Sequence, residues 1–529
     1  MRLLAPLAAA VCCLAGGARG AEEAEGGDVV DAPTRLSLDA CIAMALRDNL
    51  DIRYQEAASA KLRHDVASAR AAFLPTFTGS VAMNDDDPDA RTDTVTLSQG
   101  TPWGTSVSAT VTRAEDSIST DTNVSLTVTQ PLLRNAGPSQ AMATLRKAHV
   151  ARDAAELRLR RKLQDVVYVV KQQYYEVAAQ RETVKVREQA VERAERLLEE
   201  ARTKVELGAK TALDSSNAEI QLADRKADLV SAQQRLADAL DNLKETLHVP
   251  FEREVAIVPV DLDLDPEPDP ELGQRRDLVI DDRAGTVEVR VLSMGRTAAG
   301  DAKPVVAERK EIFRPQPRDL ERTIAVTMES RPDLLAARLD LEAKELECAR
   351  KRSQARHDLD LSATYTDSGD ETQRPGELTA GAWTATLSLE LPIGRVSRKS
   401  DYEKAALDVE MQEIVVEKIE IGIRKEIRRL FGKLKETELN ILAFAKKINA
   451  AATALEAARG REELGVSIWE LTARQSDLIN AQTSFITAYL DYQKRLAELD
   501  RACGKSIIAP PLPSDDGAAA EAVEDAPPE

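Results

Sequence analysis

Residues 163–208 read LQDVVYVVKQQYYEVAAQRETVKVREQAVERAERLLEEARTKVELG. Leu163, Val170, Val177, Val184, Val191, Leu198 and Val205 fall on steps of seven, and every one is apolar. Such a repeat keeps one stripe of a helix against a partner helix and imposes left-handed coiled-coil packing. Leu207-Gly208 closes the stretch, as expected of a helix that stops on a left-handed glycine. Helical composition begins near Ser139, so this helix spans about 68 residues and roughly 100 Å at 1.5 Å per residue. A second stripe, Leu222, Leu229, Leu236 and Leu243, carries a shorter helix back to about Leu247.

The same plan recurs downstream. Ile427, Leu434, Ile441, Ile448 and Leu455, with Leu430, Phe444, Ala451 and Ala458 as a second seam, mark a helix from about Ser400 to Leu464. Leu464-Gly465 turns it, and Leu471, Leu478, Phe485, Tyr492 and Leu499 line a return to about Ala502. Each copy opens on a related motif followed by a helix. One runs from Leu36-Ser37-Leu38-Asp39-Ala40 through Asn49-Leu50-Asp51-Ile52 to about Ala72, and the other from Asp319-Leu320-Glu321-Arg322-Thr323 through Arg331-Pro332-Asp333-Leu334 to about Arg356. Leading and returning helices are each about half as long as the continuous one, so they stack end to end beside it.

Between leading and long helices the period changes from helical to alternating. Thr76–Met83 and Asn123–Thr129 alternate in the first copy, and Asp358–Thr366 and Ala382–Leu391 in the second. The return strands end alike, at Gln130-Pro131-Leu132-Leu133 and Glu390-Leu391-Pro392-Ile393. These segments have the length and weak alternation of membrane β-strands. One chain holds too few to close a barrel, and an open sheet edge in lipid is not viable, so the barrel is shared between chains. Val95-Thr96-Leu97 and Thr105–Thr112 are also strand-like. Because the chain must return to its starting side, they form either an extracellular hairpin or two further wall strands.

The start of the chain reads as a leader over residues 1–20. Met1-Arg2 precedes an apolar run from Leu3 to Ala15, and Ala18-Arg19-Gly20 offers small residues to a signal peptidase. Cys12 and Cys13 leave lipidation open. Residues 21–35 read as a linker, 36–258 and 319–505 as the two copies, and 506–529 as an acidic, Pro- and Ala-rich tail expected to be disordered. Residues 259–318 interrupt the plan. They open acidic and Pro-rich, then alternate at Leu278-Val279-Ile280 and Thr286–Val291 around Arg283-Ala284-Gly285, which reads as a β-hairpin. Their place in the chain puts them near mid-height on the rod, as a small equatorial add-on or as a spacer.

Composition narrows the function. A formal net charge of -19 opposes a phosphate-binding surface, so nucleic acid is excluded as a partner of the whole chain. Four scattered histidines (His64, His149, His248, His357) and no dense cysteine cluster exclude a zinc domain. Cys41, Cys348 and Cys503 are odd in number and far apart, which is no disulfide framework. No nucleophile elbow, phosphate loop or metal spacing marks an enzyme, so no catalytic, cofactor or metal residues are assigned.

Taken in order, the duplicated opening motifs, Ala71-Ala72-Phe73-Leu74-Pro75, Gln130-Pro131-Leu132-Leu133, Leu391-Pro392-Ile393 and the two Leu-Gly turns resemble the TolC family of outer-membrane channel-tunnels. The resemblance covers roughly Leu36 to Lys505, apart from the insertion. It implies a mainly α protein with membrane β: a two-repeat protomer whose trimer forms a twelve-stranded β-barrel, four strands per chain, continuous with an α-helical coiled-coil barrel in the periplasm. It places the supplementary strand-like sequence in a hairpin outside the wall. It also implies a passive efflux or type I secretion duct without cofactor, docked on a periplasmic adaptor and an inner-membrane pump of the RND, ABC or MFS type. The alternatives are a structural periplasmic coiled coil and a periplasmic adaptor. An adaptor has one hairpin, whereas this chain has two, and a structural coiled coil has no reason to interrupt its heptads twice with strands.

The resemblance assigns adaptor docking to the tip residues Leu207, Gly208, Thr211, Asp214, Leu464, Gly465 and Ser467. Asp214, six positions after Gly208, fits the family pattern, and it is equally a helix N-terminal carboxylate facing the helix dipole. In the second turn the acid arrives one position early, at Glu470, a departure from the family spacing. Glu470, Arg474 and Asp477 are the candidates for a periplasmic constriction. The competing reading is a solvated helix face with an Arg474–Glu470 pair at i,i+4.

Overall fold

The structure is a computed structural model that describes residues 34–83, 91–115, 120–207, 211–258, 274–281, 286–296, 302–315, 318–370, 381–391, 396–460 and 468–504. Residues 1–20, 506–529 and Leu464-Gly465, on which the expected leader, disordered tail and second turn fall, lie outside these residues.

Strand β1 (Thr34–Leu36) leads into helix α1 (Leu38–Asp48), which Ser37 caps by accepting from the Ala40 amide. The first leading helix is broken rather than continuous: α2 (Leu50–Ala71) restarts after Asn49. The Asn49 side chain accepts from the Asp51 and Ile52 amides, closing the start of α2. Strands β2 (Thr76–Met83), β3 (Arg91–Gly100), β4 (Ser106–Glu115) and β5 (Thr120–Pro131) follow. The short α3 (Pro138–Ala141) then precedes α4 (Ala143–Glu206), and α5 (Ala212–Leu247) returns. His248 ends α5 in the left-handed conformation, and Asn49 donates its amide to the Thr246 carbonyl at 3.0 Å. One asparagine therefore serves the end of α5 and the start of α2, which is how the two half-length helices are stacked.

Strand β6 (Val255–Ile257) pairs in parallel with β1, an association across more than two hundred residues. The insertion forms a three-stranded antiparallel sheet of β7 (Gln274–Asp281), β8 (Thr286–Arg296) and β9 (Ala302–Phe313), one strand more than a hairpin. The second copy continues with α6 (Leu320–Ser330), α7 (Pro332–Gln354), β10 (Asp358–Asp370), β11 (Ala382–Glu390), α8 (Val396–Gly460) and α9 (Ile468–Ala502). The insertion sheet lies on α8 and α9: Asn449 donates to the Leu278 carbonyl at 2.7 Å, and Phe313 meets Tyr492 edge-on at 5.1 Å.

The long helices form a wall of four ranks. The stacked α2 and α5 pack on α4, α4 packs on the stacked α7 and α9, and these pack on α8. The principal seams of α8 and α9 are buried throughout, whereas on α4 Val170, Val177, Val184 and Leu198 are buried and Leu163, Val191 and Val205 only partly. Leu471, Leu478, Phe485, Tyr492 and Leu499 are all buried on α9, as are Ile427, Leu434, Ile441, Ile448 and Leu455 on α8. The outer ranks keep apolar residues exposed. Leu213, Ile220 and Val230 do so on α5, and Leu407, Met411, Ile414 and Ile421 form a helical stripe on the free face of α8. The core also swallows Cys41, where burial pushes the thiol up to about 11. Thiolate is the reactive form. At pH 8 Cys41 is therefore expected to resist a maleimide that modifies half-exposed Cys348, a difference that mass spectrometry of the labelled protein would read out.

At the second joint Arg331 separates α6 from α7. It is buried, and its guanidinium reaches Asp333 at 2.8 Å, Glu426 of α8 at 2.7 Å and the Ala502 carbonyl ending α9 at 3.3 Å. Burial opposes its charge, but the two carboxylates outweigh it and raise the pKa. Gly504 completes the joint at φ +64°, where a Cβ would stand 3.2 Å from the Arg331 Cα.

Candidate functional site

Two regions carry the functional argument: the large sheet at one end of the wall and the helical tip at the other. The sheet has six strands in the order β11-β10-β5-β4-β3-β2. This departs from the four strands per chain that the resemblance implied, because β3 and β4 are full partners in the ladder between β2 and β5. Their connecting turn lies at the helix-side end, where the Gln99 side chain donates to the Phe73 carbonyl. A Cβ on Gly104, at φ +86°, would touch Asn135, Pro131 and Ala141.

Cross-strand register sorts the side chains into rows. One row is Thr76, Ser98, Ser108, Thr127, Thr364 and Thr384, a hydroxyl from every strand. Thr76 meets Ser98 and Thr127 meets Thr364 at 3.1 Å. The next row, on the opposite face, is Phe77, Leu97, Ala109, Leu126, Tyr365 and Trp383, with no polar residue but the tyrosine. Tyr365 and Trp383 are in contact at 5.1 Å. Further from the helices the apolar face ends in charge: Arg91 pairs with Asp93 at 2.8 Å, and Arg113 with Glu115 at 3.9 Å. A hydroxyl face backed by an apolar face with a charged border is the side-chain division of a membrane barrel wall.

At the tip, Leu207 ends α4 in helical conformation and is exposed. Thr211 is the N-cap of α5, and Asp214 completes a capping box: its carboxylate accepts from the Thr211 amide at 3.1 Å and from the hydroxyl at 2.8 Å. Asp214 thus has a local structural task, while Leu207 and Leu213 stand exposed on either side of the turn. Gly208, Leu464, Gly465 and Ser467 lie outside the described residues. In α9, Glu470 falls in the first turn, half-buried, and Arg474 pairs with Asp477 at 3.3 Å. This ion pair joins Arg474 to Asp477 at i,i+3 on the exposed face of α9.

Sequence reasoning missed a polar tie across the hairpins. Arg225 of α5 hydrogen-bonds Ser476 of α9, and Asp228 sits 3.1 Å from Arg187 and 3.6 Å from Arg225. Heptad reading ranks these positions only as the polar face of α5, and their partners are set by tertiary packing. Among the described residues no helix is long and apolar enough to cross a membrane, and no group of His, Cys, Asp or Glu is arranged to hold a metal ion.

The geometry has known counterparts. CusC aligns with a TM-score of 0.61 at 15% identity, covering 89% of this chain and 92% of CusC. VceC from Vibrio cholerae aligns at 0.61 and 14%, covering 88% and 96%. The open state of the MtrE outer membrane channel from Neisseria gonorrhoeae aligns at 0.57 and 18%, covering 88% of each chain. No curated protein matches the chain. Identities this low carry the fold alone, but the outer membrane efflux protein family matches the sequence itself over residues 41–247 and 324–505, the two helical copies with their strands. On that match the chain belongs to the outer membrane efflux protein family, whose members are channels and not enzymes.

Proposed function

We propose that the protein is the outer-membrane duct of a tripartite efflux or type I secretion system. Three copies close the barrel and the helical wall, and the tip docks on a periplasmic adaptor beneath which an inner-membrane RND, ABC or MFS-type transporter supplies energy. The observation that supports this best is the pair of matching free edges. One side of each chain presents β2 and the α2–α5 rank, and the other presents β11 and the α8 rank. Both helical edges expose apolar residues, and copies joined edge to edge would cover sheet and helices together. In this arrangement the apolar sheet face meets lipid and the hydroxyl face lines water.

Exposed Leu207 and Leu213 offer the adaptor an apolar tip, with the Thr211–Asp214 box holding the turn in shape. Glu470 and Asp477 supply the carboxylates of a constriction. Three copies ringed about an axis would favour cations. In planar bilayers, E470Q/D477N is expected to lower the cation-over-anion permeability ratio without abolishing conduction. An unchanged ratio removes these residues from the constriction.

The test of the whole reading is electron microscopy of membrane-extracted protein together with bilayer recording. Hollow threefold rods that conduct are expected. Soluble monomers or rods without a lumen would leave a structural coiled coil in its place.

A further inference from the structure

We infer that all six strands of each chain are wall strands, so that the closed barrel has eighteen. This rests on the threefold duct proposed above and goes beyond it in strand number, in the edges that pair and in the width of the pore.

Three observations carry it. The first is continuity of the faces. If β3 and β4 stood outside the wall as an extracellular hairpin, neither face would need to match the lipid-facing row of its neighbours. Yet Leu97 and Ala109 continue the apolar row between Phe77 and Leu126, and Ser98 and Ser108 continue the hydroxyl row between Thr76 and Thr127. The second is placement. The β3–β4 turn lies beside the helix-to-strand junctions, as the contacts of Gln99 and Gly104 fix. Both strands therefore run the full height of the sheet, with ladders from Arg91–Glu115 to Gly100–Ser106.

The third is width. Six strands about 4.8 Å apart and tilted about 40° cover an arc of roughly 37 Å. Four helical ranks about 10 Å apart cover roughly 40 Å. Four strands would cover only roughly 25 Å. Six strands per chain therefore match the helical wall above which they stand, and the duct keeps one bore through the junction. Barrel diameter grows about linearly with strand number, so eighteen strands give a pore about one and a half times as wide as twelve.

Closure needs other copies of this chain. Six strands are fewer than the smallest membrane barrel, about eight. The free edges are β2 and β11, both exposed along their whole length. The strand β2 leaves the helical wall after α2, and β11 returns to it before α8. On neighbouring copies the two strands are antiparallel, the sense that the rest of the sheet uses.

The test places single cysteines in the full-length protein carrying C348S, reconstituted in lipid. L97C and V111C lie on the apolar face of β3 and β4, and T96C and T110C on the hydroxyl face. L126C and T127C on β5 are the controls. A fluorophore attached to the L97C or V111C variant is expected to be quenched by nitroxide-labelled lipid as strongly as one on the L126C variant. The T96C and T110C variants should react with a charged maleimide as T127C does. Quenching in L126C alone, with all four β3–β4 positions open to the charged reagent, would overturn the proposal and leave the duct standing. Failure of L126C and T127C to sort would overturn the duct as well. A cryo-EM cross-section provides the count. Eighteen strands support the inference, and twelve, from three copies of four or two copies of six, refute it.

Discussion

Replacing Arg331 with methionine is expected to destabilise the protein by about 3 kcal/mol, the lower end of the cost of stripping one partner from a buried ion pair. Methionine keeps much of the volume, so the loss is not chiefly a cavity. It leaves Asp333 and Glu426 facing each other without the cation, and it leaves the Ala502 carbonyl without a donor. Because both carboxylates are partly exposed, water recovers some of the loss, which is why the upper end of the range is not expected. Thermal unfolding of the assembled protein reads the effect, and adding E426Q should reduce it by removing one of the two stranded charges. R331M melting with the parent protein would show that the joint is held by packing alone. Lysine is a poor substitute here, since a single ammonium cannot engage two carboxylates and a carbonyl in the geometry of a guanidinium fork.

A second large loss is expected from Phe485→Ala. Phe485 is fully buried in the continuous core of the inner ranks. Phenylalanine-to-alanine changes at such sites cost about 3–5 kcal/mol through lost transfer energy and an unfilled cavity. The effect should appear as faster irreversible inactivation on heating, because a large shared assembly is governed by its unfolding rate. Val230→Ala on α5 is the informative contrast. Val230 is exposed in the single chain, so a measurable loss there reports burial between copies, and none would place the neighbouring copy elsewhere.

The helical part of the fold was legible because its signal is periodic and local. Leu471 through Leu499 could be read as one seam from spacing alone, and all five are buried. Leu222, Leu229 and Leu236 show the same spacing but are only partly buried in the single chain, because α5 sets Ala218, Ala232 and Ala239, each about one turn away, deepest in its packing. The joints were less legible. Asn49 and Arg331 sit in recognisable motifs, but their task of closing one helix while starting another depends on Thr246 and Ala502 arriving from far along the chain. Strand β9 was missed because Glu308, Arg309, Lys310 and Glu311 break the alternation that marks a strand. Strands β1 and β6 are three residues each and exist only through each other. The membership of β3 and β4 in the sheet was an open choice in the sequence, since alternation reports a strand and not its neighbours. At the tip, spacing led to Asp214 but not to its contact with Thr211, which short-range capping decides.

The free edges of β2 and β11 also bear on how the molecule is made. Each carries a column of backbone amides and carbonyls that water can satisfy and hydrocarbon cannot. A lone chain is therefore barred from the bilayer not by its side chains, which already suit lipid, but by its unfinished ladder. Insertion must wait for, or coincide with, the meeting of copies. The yield of inserted protein should then rise more steeply than linearly with expression level, and a surplus of one damaged chain should poison its intact siblings.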